Sequence, residues 1–256
     1  MRPRGKSLTV LIHGYQGCSF DFQKSRNYIK QTCKNSEVIV LESITDRMEE
    51  SIESLGHTAA HEIESHIDNS VMTYSALNLV GFSLGGLIAR AALKHLTLHQ
   101  HIFNTLITFS SPHLGISQND NSLVNLGVWF LIKMDKVANL KELNFQSVNP
   151  NDSSMMRLAK CELLHLFKRV VVVCSRNDEF VPFYSTSLDR SACVGELADL
   201  CDRLKRNIRR LERVEVVFDI KQAGTLDKLT GRRGHIEFLD NDFFLEHFFR
   251  HYSSVL

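Results

Sequence analysis

Six short runs of β-branched and apolar residues recur along the chain, at positions 8–12, 38–41, 77–80, 105–109, 170–174 and 214–218. All but the short third are nearly continuous apolar stretches, not alternating ones, which is the pattern of strands buried on both faces of a parallel sheet. Between them lie stretches with apolar residues three to four apart, at 20–32, 52–67 (Ile52, Leu55, Ala59, Ile63, Ile67), 84–96 and 197–211, with a last one around 243–252. Strand and helix in alternation predict an α/β fold, a mostly parallel, doubly wound sheet of about six strands joined by right-handed crossovers. At 256 residues the chain suffices for one such domain, expected over 1–256.

The rhythm breaks once. From Leu114 to Lys168 no strand is evident, yet residues 123–132 are densely apolar and include Val128 and Trp129. An insertion of this length after the fourth strand lies at the carboxyl edge of the sheet, where sites of open α/β folds form. It is expected to be a lid or pocket wall, with Val128 and Trp129 against the substrate. Helical padding on the core is the alternative.

A formal charge of +1 makes no case for nucleic acid. The six cysteines contain no C-x-x-C pair and read as free thiols of a reducing compartment, so an intracellular, cytoplasmic setting is expected. The N-terminus is too short and polar to serve as a signal-peptide core, and no apolar stretch approaches the ~20 residues needed to span a bilayer.

Gly81-Phe82-Ser83-Leu84-Gly85 follows the third run directly and opens the third helical stretch. A G-x-S-x-G pattern between strand and helix predicts a nucleophile elbow, a strained turn that lifts a serine hydroxyl above the sheet. The hydroxyl needs a base. In this arrangement the acid and then the histidine follow the serine in the chain. Asp178 falls in the loop after the fifth run, and His235 falls at the end of a loop after the sixth. We therefore expect Ser83 as nucleophile, His235 as general base and Asp178 as the carboxylate that orients it. Glu179, Asp152, Asp219 and Asp227 are the rival acids. The oxyanion of a tetrahedral intermediate is expected to meet the backbone N–H groups of Leu84 and of Tyr15, with Gln16 as the neighbouring possibility. His13 reads as a structural hydrogen-bonding residue.

Other motifs carry less. His57 and His61 stand four apart, and His61-Glu62 begins an H-E-x-x-H-like pattern, but position 65 is serine and His66 comes one residue late. No metal is expected there, and no cofactor at all. Arg203, Lys205, Arg206, Arg209, Arg210 and Arg213 lie opposite Leu197, Leu200, Leu204, Ile208 and Leu211 on a predicted helix. Such a segment suits either the outer face of a crossover helix or peripheral contact with anionic lipid.

Taken together, His13-Gly14, Gly81–Gly86, Ser111-Pro112-His113-Leu114-Gly115, Asn177–Pro182 and Gly234-His235 resemble the serine esterases of the lipase-like α/β-hydrolase superfamily. Residues 123–130 narrow the resemblance to the C-terminal lipase-like domain of the proteins called family with sequence similarity 135. The likeness runs from about residue 8 to 249. It implies an α/β-hydrolase fold, a Ser83/Asp178/His235 triad and a small-molecule or lipid ester as substrate. Phe82 stands where lipases commonly have histidine. The narrower family also carries a long region ahead of this domain. A catalytically inactive lipid- or protein-binding module on the same shell is the alternative from another functional class.

Overall fold

Leu8, Val10 and Ile12 of strand β1 (Lys6–Ile12) enter one apolar core and Leu11 enters another. This period-two division recurs along the central strands and explains why the runs are apolar throughout: each strand has a core on both faces. The computed structural model describes residues 5–116, 137–143, 153–160, 162–219 and 232–256. Within these, the chain forms β1, helix α1 (Gln23–Thr32), β2 (Ser36–Val40), α2 (Ile52–Asn69), β3 (Tyr74–Phe82), α3 (Leu84–Ala92) and β4 (Phe103–Phe109). The short α4 (Ala138–Glu142) and α5 (Ser154–Lys160) follow, then β5 (Arg169–Cys174), α6 (Phe183–Ser187), α7 (Gly195–Arg206), β6 (Leu211–Glu215), α8 (Arg232–Asp240) and α9 (Asp242–Tyr252).

The six strands form one sheet in the order β2-β1-β3-β4-β5-β6, and every pairing is parallel. Helices α2 and α3 cover one face, where Ile52, Leu55, Ile63, Leu87 and Ile88 meet Leu79, Leu106 and Val172. Helices α1, α8 and α9 cover the other, where Ile29, Phe238, Leu245 and Phe249 meet Val80, Ile107, Phe109 and Val171. The doubly wound expectation holds.

Four differences from the sequence reading go beyond a few residues at an element's end or bear on the site. The third strand is nine residues long, not a short one, because its flanking residues also pair with β1 and β4. The sixth strand lies at 211–215 instead of 214–218: Leu211 pairs with Val170 and Glu215 with Cys174. Backbone pairing at a sheet edge selects the register there, while Phe218 leaves the strand to pack against Phe238 and Phe244. Helix α7 stops at Arg206, because the chain must turn into β6, so Leu211 belongs to a strand. The expected basic helix face is thereby divided, with Arg209 and Arg210 beyond the helix and Arg213 on β6; Arg210 pairs with Glu212. Finally, His235 sits in the first turn of α8, not in a loop, since Phe238 and Leu239 draw that segment onto the core as a helix.

The described parts of the 114–168 insertion pack on the α2/α3 side of the sheet, burying Leu140, Leu143, Met155, Met156 and Leu158. Val128, Trp129, Asp152 and Asp227 lie outside the described residues. Among the described residues no helix is long and apolar enough to cross a membrane.

Candidate active site

Phe82 closes β3 opposite Phe109 of β4, and Phe109 pairs with Val173 of β5. Ser83 and Ser110 are thus the first residues beyond the carboxyl ends of neighbouring strands, and Asp178 follows β5 by four positions. Ser83 is held at φ 52°, ψ −122°. A non-glycine residue avoids positive φ because its Cβ crowds the backbone, so the turn stores strain. Two contacts hold it: the Ser83 N–H donates to the Phe109 carbonyl at 2.8 Å, and the Ser83 carbonyl accepts from Gly86 N–H at 3.2 Å. Every residue from Asn78 to Leu93 is buried except Ser83, which is partly exposed. The elbow therefore lifts one hydroxyl-bearing side chain out of an otherwise closed segment.

Close approach explains the glycine after Leu84. A Cβ on Gly85 would stand 2.0 Å from the Ile12 carbonyl oxygen, so the first turn of α3 rests directly on the end of β1. The loop that leaves β1 also backs onto Ser83, since a Cβ on Gly14 would stand 2.9 Å from the Ser83 Cβ. That loop turns through a bond from Gly17 N–H to the Gly14 carbonyl at 3.0 Å, with Gln16 at φ 57° and Tyr15 half-buried. Leu84, as the first residue of α3, has no intrahelical acceptor for its N–H. His13 is buried between the Gly14 carbonyl (3.1 Å) and the Thr45 hydroxyl (3.0 Å), the structural place expected of it. Burial lowers its pKa.

The acid and the imidazole meet. His235 Nδ1 lies 2.8 Å from Asp178 Oδ2. Both residues are 8% exposed, and the aspartate side chain is fully enclosed. A buried carboxylate is tolerated only when its oxygens are satisfied. Here Oδ1 accepts the N–H groups of Phe180 (2.8 Å) and Val181 (3.1 Å), and Oδ2 accepts from His235 and from the hydroxyl of Ser110. An ionised carboxylate only accepts, so the imidazole donates from Nδ1, and the tautomer this bond selects leaves Nε2 as the acceptor nitrogen of a neutral ring. Two rings frame it: Phe82, next to the elbow serine, at 4.8 Å between centroids, and Phe180, edge-on, at 5.4 Å. Phe82 directly precedes Ser83, so this contact seats the imidazole against the serine's chain neighbour.

Of the rival acids, Glu179 and Asp219 are exposed, while Asp152 and Asp227 are outside the described residues. Cys174 ends β5 nearby, but burial pushes its thiol up to about 12, which removes it as a competing nucleophile. Glu62, of the metal-like pattern, instead accepts the backbone N–H groups of Glu42 and Ser43. Among the described residues no group of three or more histidine, cysteine, aspartate or glutamate side chains is placed to hold a metal ion.

Sequence reasoning missed three participants: the Ser110 hydroxyl, the two backbone donors at Phe180 and Val181, and the aromatic frame around His235. The Ser110-Ser111-Pro112 sequence after β4 was a signal for the first, being a polar turn at a strand's carboxyl end. The frame left none.

Residues 2–193 match the family model described as "Putative serine esterase (DUF676)". The lysosomal thioesterase PPT2 of Bos taurus is 27% identical over 114 residues, 44% of this chain and 36% of that protein. The chain thus spans well under half the length of the curated relatives it matches. Among solved structures, the carboxylesterase EstE1, cloned from a metagenomic library, superposes with a TM-score of 0.56 at 15% identity over 100% of this chain and 82% of that one. Aspergillus fumigatus lipase B superposes with a TM-score of 0.54 at 15% identity over 83% of this chain and 45% of that one. At such identities the structures establish a shared α/β-hydrolase fold.

Proposed function

Since the chain belongs to the serine esterase family DUF676, we propose that it cleaves carboxylic esters through an acyl-enzyme intermediate formed on Ser83. The observation that carries this reading is the 2.8 Å pair between His235 and Asp178, seated against the residue that precedes a serine in a left-handed elbow. His235 Nε2 takes the Ser83 proton as Oγ attacks the ester carbonyl, and Asp178 stabilises the imidazolium that results. The oxyanion is met by the N–H groups of Tyr15 and Leu84, each worth ~2.7–4 kcal/mol in such a role. His235 then returns the proton to the leaving alcohol. Water, activated by the same imidazole, hydrolyses the acyl-enzyme.

The domain takes in residues 1–256 in this reading, with the 114–168 insertion as pocket wall and Val128 and Trp129, outside the described residues, as candidate substrate-binding residues. Its substrate is a small-molecule ester, of lipid type where the acyl chain is apolar. Thioesters use the same machinery, and the PPT2 relative is named a thioesterase. Exposed Arg206 and Arg209 are the proposed point of peripheral lipid contact, and a lack of preference for anionic over neutral vesicles removes that part. A cytoplasmic setting rests on the free thiols of Cys18, Cys33, Cys174, Cys193 and Cys201, although that relative is named lysosomal; fractionation of cells decides it.

A fluorophosphonate probe tests the central claim. Labelling of the wild type and turnover of a short-chain p-nitrophenyl ester, both abolished in Ser83→Ala, are expected. A well-folded wild type that neither labels nor turns over refutes the enzyme and leaves the binding module. Matched oxygen-ester and thioester series then rank the two leaving groups.

A further inference from the structure

Ser110 has no part in the scheme above, yet its place in the fold is specific. It is wholly buried, and its backbone sits at φ 47°, in the left-handed region. Glycine adopts that conformation freely, whereas a residue with a Cβ does so under strain. Its N–H extends the β4–β5 ladder by donating to the Val173 carbonyl at 2.9 Å. The hydroxyl donates to Asp178 Oδ2, the oxygen that also accepts from His235 Nδ1. A hydroxyl at a position where glycine would be free of strain calls for a task that needs the hydroxyl.

We propose that Ser110 is a positioning residue for the Asp178–His235 pair: its hydroxyl fixes Oδ2 so that the carboxylate faces the imidazole in one orientation. The proposal rests on the reading of the site as that of a serine hydrolase. The torsion that turns an aspartate carboxylate is soft and roughly two-fold, so a carboxylate is not aimed by its own rotamer. The Phe180 and Val181 N–H groups restrain Oδ1. Without a second anchor, the only partner restraining Oδ2 among the described residues is the imidazole it is meant to orient. Ser110 supplies that anchor from the turn that follows β4, which makes the direction of the carboxylate independent of where His235 stands. By sharing Oδ2, the hydroxyl also moderates how tightly the carboxylate holds the Nδ1 proton. A bulkier neighbour would not serve as well, because the site is closed: the Asp178 side chain has no exposure to solvent.

Two substitutions separate this task from mere turn formation. Ser110→Gly removes the hydroxyl while suiting the backbone, and Ser110→Ala removes it while keeping the strain. Thermal unfolding checks that each is folded. If the hydroxyl positions the acid, both variants lose about tenfold in kcat with KM unchanged, since small misplacement of a reacting pair is costly. If only the backbone conformation matters, the glycine variant keeps wild-type kcat, and the proposal is overturned. A second readout does not depend on turnover: the far-downfield proton resonance of His235 Nδ1, assigned by its disappearance in His235→Gln. It is expected to move in both Ser110 variants, and a resonance unmoved from its wild-type position overturns the proposal. Failure of the functional reading looks different, namely a wild type whose Ser83 does not react with fluorophosphonate while the resonance still responds to Ser110.

Discussion

Replacing Gly234 by alanine sets two physical effects against each other. Gly234 lies in the first turn of α8, one residue before His235. By helix propensity alone, alanine is better than glycine by up to about 1 kcal/mol. Packing opposes it. An alanine Cβ would stand 1.9 Å from the carbonyl oxygen of Asn177 and 2.7 Å from its carbon, both backbone atoms, where ordinary contact begins at 3.4 Å. The first turn of α8 and the acid loop must then part by about 1.5 Å, the shortfall between 1.9 and 3.4 Å. Carried to the pair they support, that displacement stretches the 2.8 Å bond between His235 and Asp178 to about 4.3 Å, past any hydrogen bond. Overpacking costs about 1–3 kcal/mol, so, after the propensity gain of about 1 kcal/mol, the net expectation is a loss of up to about 2 kcal/mol. For a chain of this size that is a fall of up to roughly 8 °C in Tm. The rate suffers more: an ångström of misplacement costs up to about 100-fold. Thermal unfolding and the rate of p-nitrophenyl ester cleavage measure both. A variant that melts higher and turns over within threefold of wild type refutes the argument that close contact at Gly234 sets the pair.

Asp178→Asn keeps an oxygen for Phe180 and Val181 but turns an amide donor towards His235 Nδ1, forcing the other tautomer. A fall in kcat of about 10⁴-fold is expected, against less than twofold for the exposed Glu179→Gln, and a mild Asp178→Asn would remove it as the orienting acid. Ser83→Gly relieves the left-handed strain as well as deleting the hydroxyl, so it is expected to be inactive yet more stable than Ser83→Ala by on the order of 1 kcal/mol; equal denaturation midpoints would show that the elbow is unstrained. Burial, seconded by the Arg90 charge, holds the pKa of His113 well below its ordinary value. Below about pH 6.5 the unfolded chain takes up a proton that the native state refuses, so stability falls with pH at up to about 1.4 kcal/mol per unit. His113→Gln is expected to lose less stability than wild type between about pH 7 and about pH 5 in urea titrations, and parallel losses would contradict it.

How much was legible beforehand varies with the range of the interaction. The first, second, fourth and fifth apolar runs and most helices were readable because a strand buried on both faces and a half-buried helix each leave a local period. The sixth strand was misplaced because Val214, Val216, Val217 and Phe218 form the more apolar run, while the edge register is decided by hydrogen bonds to β5. Likewise, Val217 is 75% exposed and Phe218 is 5% exposed, a division no local pattern reports. His235 was recognisable as the histidine that pairs with Asp178 from its order after the strands, but its place on a helix was hidden by the polar residues before it.

The elbow at Ser83, with a candidate carboxylate and then a candidate imidazole later in the chain, was therefore determined by the sequence alone, since strand, glycine-flanked turn and helix are local features. Which carboxylate meets the imidazole was a ranking there, among Asp178, Glu179 and others. Tertiary structure decided it between the neighbours: Asp178 turns inward to four donors and Glu179 outward to solvent. It also recruited Ser110, 68 residues before Asp178, and set Phe82 and Phe180 around His235. Such contacts join residues far apart in the chain, and they come into being only when the sheet brings the carboxyl ends of β3, β4 and β5 side by side.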